Sequence, residues 1–204
     1  MDDIIFGCTN DSSVQWFDNA MQSEFEMSMI GELSFFLGLR IIQSSEGLFL
    51  SQEKYLKETL KKFQMEDSSP VGTPMFIGCK LSKDDPSPDV DQRTYRSMIG
   101  SLLYIKTSHL DIMQVVGMVG RFQYDPTQSY LVDVQRIFKY LKGTMTYGLW
   151  YPRNHNLQLT AYSDADWENC LDERKSTSGD AFFLGDFLVA WLSKKQVSIS
   201  LSTT

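Results

Sequence analysis

Three consecutive segments between residues 92 and 142 place apolar side chains at the three- and four-residue spacing of an amphipathic helix. They cover residues 92–107, 111–123 and 127–142. The last one follows Asp125-Pro126-Thr127 and stops at Gly143, which are typical signals for the start and end of a helix. Strand-like segments precede and follow this helical block. The chain is therefore predicted to have an α+β fold.

The first fifty residues are predicted to form one helix and a hairpin. An N-cap cluster at residues 10–12 precedes a helical apolar stripe over 14–25. Residues 33–42 are rich in β-prone side chains, and the turn-like residues 44–47 connect them to a second short strand. Within the first strand, Gly38 indicates a bulge or a close backbone approach, or it serves packing alone.

A short helix and a long irregular stretch are predicted next. Residues 52–65 have a helical pattern with its lysines on the outer face. Such a face is usually solvated surface, and contact with phosphates is the alternative. Residues 66–92 contain four prolines and two glycines, which is typical of a linker between modules. The outward lysines are Lys54, Lys57, Lys61 and Lys62.

The last part of the chain is predicted to be an antiparallel meander over residues 148–192. Short strands are indicated at 148–151 and 157–163. A further pair, residues 181–184 and 187–192, is connected by Gly185-Asp186, a two-residue hairpin signal.

An acidic run ends the strand at 157–163. If strand geometry continues, side chains two residues apart share a face, so Asp164, Asp166 and Glu168 project from one side. Such a row can hold a divalent cation. Spacing alone favours a solvated acidic edge, because structural clusters of charge are common.

Composition excludes several classes of protein. The net charge of −7 speaks against a strongly basic nucleic-acid binder, although the acidity is concentrated in the first fifty residues. The three cysteines are widely spaced and the two histidines lie apart, which disfavours a disulfide framework and a zinc site. No apolar run is long enough to span a membrane, and the N-terminus is not a signal peptide. We expect an intracellular protein, cytoplasmic or nuclear, with no membrane partner and no secretion.

Seven sequence blocks, in the expected order and spacing, resemble the Pol polyprotein of copia-type (Ty1/copia) retrotransposons, from the end of the reverse-transcriptase palm into the RNase H domain. Each block is weak alone, but together they cover essentially the whole chain. They are Asp2-Asp3-Ile4-Ile5-Phe6-Gly7, Gly31-Glu32-Leu33-Ser34-Phe35-Phe36-Leu37-Gly38-Leu39, Tyr95-Arg96-Ser97-Met98-Ile99-Gly100-Ser101-Leu102-Leu103-Tyr104, Arg136-Ile137-Phe138-Lys139-Tyr140-Leu141-Lys142-Gly143-Thr144, Tyr162-Ser163-Asp164-Ala165-Asp166, Arg174-Lys175-Ser176-Thr177-Ser178-Gly179 and Trp191-Leu192-Ser193-Lys194-Lys195-Gln196.

The resemblance implies a division of the α+β fold into three parts. Residues 1–50 would be a palm β-hairpin remnant of a reverse transcriptase. Residues 51–146 would be a helical thumb- or connection-like middle, with the linker at 66–92. Residues 147–204 would be a truncated RNase H-like domain with a partial antiparallel sheet.

The resemblance also implies site residues. Asp2 and Asp3 would be the acidic pair of the polymerase Tyr-x-Asp-Asp turn, which holds Mg²⁺. Phe36-Leu37-Gly38 would be primer-grip-like, and Asp164 would be the first metal-binding carboxylate of RNase H. Both sites perform two-metal phosphoryl transfer, in which one ion activates the attacking group and the other stabilises the leaving oxygen. The implied partners are a template-primer or RNA/DNA hybrid and the rest of a Pol polyprotein.

The chain departs from the family pattern in ways that bear on activity. Met1 stands at the variable position of the polymerase turn, and the tyrosine before it is absent. His109-Leu110 replaces the usual Arg-Pro before Asp111, and the Glu-x-Glu-Tyr block does not follow by Thr204. We therefore expect both metal sites to be incomplete and the isolated chain to be inactive. One alternative is activity with strands supplied by a partner chain, and another is a retained non-catalytic nucleic-acid-binding or interaction protein.

Overall fold

The computed structural model describes residues 4–79, 81–153, 157–166, 172 and 175–198. The chain forms two compact units, Met1–Leu33 and Ser34–Thr204. The first unit contains helix α1, Asp11–Glu24. As predicted, Asn10 caps this helix by accepting a hydrogen bond from the Ser12 amide at 2.9 Å.

A four-stranded antiparallel sheet opens the second unit. Its strands are β1 (Phe35–Phe36), β2 (Leu39–Gln43), β3 (Gly47–Ser51) and β4 (Gly148–Pro152), in the order β1-β2-β3-β4. The predicted turn at 44–47 connects β2 to β3, and there the Gly47 carbonyl accepts from the Ser44 amide at 2.9 Å.

The prediction that 148–192 forms one meander is wrong for its first strand. β4 pairs with β3, from Gly47 opposite Pro152 to Ser51 opposite Gly148. Both ends of this pairing need a glycine, because a Cβ at Gly47 or Gly148 would collide with a carbonyl oxygen of the opposite strand. A five-residue apolar strand does not specify its neighbour, so the sequence pattern could not distinguish the two pairings.

The helical block lies between β3 and β4 in the sequence and contains the core. It consists of α2 (Glu53–Lys62), α3 (Gln92–Ile105), α4 (Met113–Val119) and α5 (Gln128–Gly143). Short 3₁₀ turns, Leu110–Ile112 and Gly120–Phe122, flank α4. The predicted apolar stripes of these helices meet in one cluster, whose fully buried members include Leu56, Tyr95, Ile99, Leu102, Ile105, Ile112, Val116, Val134, Ile137, Phe138 and Leu141.

The described residues between 66 and 91 form no helix and no strand, apart from one isolated β-bridge between Asp89 and Thr127, and much of this segment packs against α5. Lys142 Nζ donates to the carbonyls of Glu66 and Ser68, and Arg136 donates to Thr73 at 2.8 Å. The Arg136 guanidinium also lies 3.8 Å from the ring centroid of Phe76. Two cations of α5 are thus engaged within the protein, which leaves fewer of them for contact with phosphates.

A separate three-stranded antiparallel sheet ends the described chain. It contains β5 (Leu159–Ala165), β6 (Thr177–Leu184) and β7 (Phe187–Lys195), and the predicted turn at Gly185-Asp186 connects the last two. This sheet contacts the helices through Trp191, whose indole donates to the Lys106 carbonyl at 3.2 Å. The α+β class is confirmed. Among the described residues, no helix has both the length and the apolar character needed to cross a bilayer.

Candidate functional site

The acidic residues at the end of β5 separate into two environments. Asp164 lies in the strand opposite Gly179, is exposed, and accepts a hydrogen bond from the Ala165 amide at 2.8 Å. Asp166 follows the strand, and one of its carboxylate oxygens accepts from the Thr177 amide. Its other oxygen is buried and has no hydrogen-bond partner within the described residues. Glu168, predicted on the same face, lies outside the described residues.

The described carboxylates do not assemble a metal centre. In that part of the chain, no three His, Cys, Asp or Glu side chains lie close enough to hold an ion together. Asp180 is the acidic residue of the neighbouring strand, but it pairs with Ser163 and therefore projects from the face opposite to Asp164. Asp164 alone does not fit a two-metal site, which uses several carboxylates. Asp2 and Asp3 lie outside the described residues.

The primer-grip-like segment Phe36-Leu37-Gly38 forms the turn between β1 and β2. Phe36 pairs with Leu39, and the two residues between them have positive φ, 47° at Leu37 and 80° at Gly38. This is the pattern of a tight type I′ hairpin turn. Leucine rarely adopts positive φ, so the sequence indicated an irregularity at Gly38 but not a turn beginning at Leu37. Leu37 lies at the tip of the turn and is 74% exposed.

Tyr104 of α3 lies beneath this turn. A Cβ at Gly38 would lie 3.0 Å from the Tyr104 hydroxyl, so of the alternatives left open for Gly38 the structure shows packing against a side chain. The Tyr104 ring packs edge-on against Tyr55, with ring centroids 4.7 Å apart. The buried hydroxyl has no hydrogen-bond partner among the described residues. Besides the backbone pairing of β1 with β2, the turn is therefore supported by packing on an aromatic pair and not by a hydrogen bond from Tyr104.

The lysine face of α2, formed by Lys54, Lys57, Lys61 and Lys62, is exposed as predicted. Lys57 forms a 2.5 Å ion pair with Glu53, and its hydrogen bond holds the pKa of that carboxyl below its usual range. Lys62 donates to Ser97 of α3 at 2.8 Å. This face is an accessible strip of positive charge, in which Glu53 neutralises one lysine, Lys57.

Sequence reasoning missed a polar group that connects the turn before α4 to α5. His109 Nδ1 lies 3.5 Å from one carboxylate oxygen of Asp111, and the Tyr140 hydroxyl donates to the other at 2.5 Å. Burial raises the pKa of Asp111, but the hydrogen bonds from His109 and Tyr140 outweigh it and keep that pKa below its usual value. Burial and the bond to Asp111 raise the pKa of Tyr140. Asp111 is thus an ionised acceptor.

Comparison with known proteins places the chain in a family. Residues 1–77 match the family model of reverse transcriptase (RNA-dependent DNA polymerase). The whole chain is 32% identical to an uncharacterized mitochondrial protein of Arabidopsis thaliana, over 85% of that protein. It is 36% identical over 187 residues to the retrovirus-related Pol polyprotein from transposon RE1 of the same plant. The chain belongs to the Pol polyproteins of copia-type retrotransposons.

This chain corresponds to a small part of its Pol relatives. The RE1 match covers 92% of the chain and 13% of the polyprotein. The Pol polyprotein from transposon RE2 of Arabidopsis thaliana is 32% identical, over 91% of the chain and 13% of that polyprotein. No solved structure matches the chain. Sequence identity therefore establishes a Pol fragment with a reverse transcriptase-like region. The roles of its individual residues have to be inferred from their positions and contacts.

The contact between Gly38 and Tyr104 can be tested by comparing two alanine substitutions. Gly38→Ala and Gly78→Ala both place a side chain at positive φ, at a cost of about 1–2 kcal/mol. Open space surrounds Gly78, whereas Gly38→Ala also crowds the Tyr104 hydroxyl. We expect Gly38→Ala to lower the free energy of unfolding in urea by about 1–3 kcal/mol more than Gly78→Ala. Adding Tyr104→Phe should reduce that difference. Equal effects of the two substitutions would show that the contact is absent.

Proposed function

We propose that the chain is the stretch of a retrotransposon Pol polyprotein that connects the reverse transcriptase to the RNase H domain, and that alone it does not catalyse phosphoryl transfer. Residues 1–50 are the palm remnant, 51–146 the thumb- or connection-like region with its irregular segment at 66–92, and 147–204 the first strands of an RNase H-like domain. The match of residues 1–77 to reverse transcriptase supports the first assignment. The third rests on the resemblance of the blocks around Asp164.

Within the described residues, no second carboxylate converges with Asp164 on a common metal position, and this observation carries the proposal. Two-metal catalysis requires carboxylates that converge on a pair of ions. Asp164 is exposed and projects away from Asp180, while Asp166 is held by the Thr177 amide. A single exposed carboxylate binds Mg²⁺ weakly and does not fix its position. We propose that the further carboxylates of a two-metal site come from another segment of a Pol polyprotein.

At the other end, Asp2 and Asp3 are proposed as the metal-binding pair of the polymerase, with Phe36-Leu37-Gly38 as its primer grip. The shape of the β1–β2 turn supports the second assignment. Its tip is exposed at Leu37, and the aromatic pair Tyr55 and Tyr104 supports it from below. A rigid and accessible turn of this kind is suited to hold a nucleic-acid backbone at a fixed distance. Template-primer and RNA/DNA hybrid are the proposed ligands.

The catalytic part of the proposal is tested by RNase H and primer-extension assays with Mg²⁺ or Mn²⁺. We expect no turnover above the blank, and the same result for Asp164→Asn and for the matched control Asp180→Asn. Asp180→Asn makes the same change of charge on the opposite face of the sheet. Turnover that Asp164→Asn abolishes and Asp180→Asn preserves would refute the proposed inactivity. Activity restored only by adding the rest of a Pol chain would show that a partner supplies the missing ligands.

The second candidate function is non-catalytic binding of nucleic acid, and the exposed lysine face of α2 favours it. Among its lysines, Lys57 is paired with Glu53 and Lys62 is bonded to Ser97. Lys54 and Lys61 lie seven residues apart and therefore on the same side of the helix. A short cationic strip of this kind binds phosphates weakly and without sequence preference.

Binding to an RNA/DNA hybrid at several salt concentrations tests this second function. Each phosphate contact contributes about −0.9 to the slope of log K against log salt. We expect Lys54→Gln with Lys61→Gln to make that slope less negative by about 1–2. The control is Lys83→Gln with Arg153→Gln, which removes two exposed charges elsewhere and should leave the slope unchanged. An equal change in both double variants would indicate net charge alone and would exclude a specific role for the α2 face.

A further inference from the structure

An open cleft of about 570 Å³ lies where the helical block, β4 and the β6–β7 turn meet. Its volume is in the range of protein sites that bind small ligands or single side chains. The helical side supplies His109, Asp111 and Tyr140. The other wall includes Tyr147, which directly precedes β4, and Trp150 within β4. None of these residues has a role in the function proposed above.

Asp111 gives the cleft a fixed negative charge. The Tyr140 hydroxyl and His109 Nδ1 hold its two carboxylate oxygens, so the group has a defined orientation. Its side chain remains 33% accessible, whereas that of His109 is only 2% accessible. Each carboxylate oxygen can accept more than one hydrogen bond, so Asp111 keeps acceptor capacity toward the cleft. A second carboxylate, Asp186 in the β6–β7 turn, lies at the exposed edge.

Several aromatic side chains line the walls of the cleft. Tyr147 and Trp150 are 57% and 43% exposed, so part of their ring surface is available to a ligand. None of the described residues that line the cleft is a lysine or an arginine. Aromatic faces attract cations, and a desolvated cation gains more from them than an exposed one. The same surroundings disfavour phosphates, because both nearby carboxylates repel them.

We propose that this cleft binds the guanidinium group of an arginine from a partner protein. A guanidinium is planar, stacks on aromatic rings and donates two parallel hydrogen bonds to a carboxylate. Asp111 is the carboxylate placed to receive it, Tyr147 and Trp150 are the rings, and the apolar stem of the arginine packs along the wall. A base of single-stranded nucleic acid would stack on the same rings but would bring its phosphates beside Asp111 and Asp186.

N-butylguanidine and N-butylurea test the proposal on the full chain, because they share a planar shape and differ in charge. Binding is followed by the indole N–H signal of Trp150 in ¹H–¹⁵N NMR spectra, assigned with Trp150→Phe. We expect N-butylguanidine to shift this signal and to bind at least about tenfold more tightly than N-butylurea. Equal affinities, or no shift with either compound, would overturn the proposal.

Three substitutions locate the binding. Asp111→Asn should weaken N-butylguanidine binding about tenfold, and Asp186→Asn, at the exposed edge, about two- to threefold. Asp84→Asn, an equal change of charge at an exposed position outside the cleft, should leave the affinity unchanged. If Asp111→Asn fails to fold, the N-butylguanidine affinities of Asp186→Asn and Asp84→Asn are compared, and the proposal requires the weaker binding in Asp186→Asn. Equal affinities of these two variants would overturn the proposal, as would a single-stranded oligonucleotide that shifts the Trp150 signal more strongly than N-butylguanidine.

Discussion

The antiparallel pairing of β3 with β4 is the contact on which the arrangement of the second unit depends. It joins Gly47–Ser51 to Gly148–Pro152, so the whole helical block lies within the loop that this pairing closes. The cost of closing so long a loop grows only slowly with its length, and burial of the helical core offsets it. Glycines at 47 and 148 permit the approach of the two strands. One consequence is that Trp150 of β4 and Asp111 of the helical block line the same cleft.

Local patterns in the sequence predicted the helices and strands of this fold much better than they predicted which of these elements lie next to each other. The spacing and end signals of α5 predicted its ends within a residue or two. Gly185-Asp186 identified the hairpin turn between β6 and β7. The partner of β4 could not be predicted, because periodicity assigns a face to a strand but not a neighbour. Asp111 and Tyr140 are 29 residues apart, and no repeat connects them. At Leu37, positive φ opposes the preference of the residue, so the sequence indicated an irregularity at Gly38 but not the turn itself.

The structure connects the family assignment with the proposed lack of activity. The matched segment is a small part of these Pol relatives, since the matches cover 13% of each polyprotein. In this chain Asp164 lies on β5, at the edge of the described three-stranded sheet. An edge strand presents unpaired backbone groups that another strand can occupy. The proposed function uses this edge as the place where a further strand, carrying a further carboxylate, would pair with β5.

Metal binding at Asp164 tests the central claim most directly, because it does not depend on substrate or assay conditions. Titration with Mn²⁺ broadens the NMR signals of amides near a bound ion, and the amides of β5 and β6 report on Asp164. We expect a dissociation constant above about 1 mM and a similar weak effect in Asp164→Asn, since an isolated carboxylate holds an ion poorly. A dissociation constant below about 0.1 mM that Asp164→Asn abolishes would contradict the account.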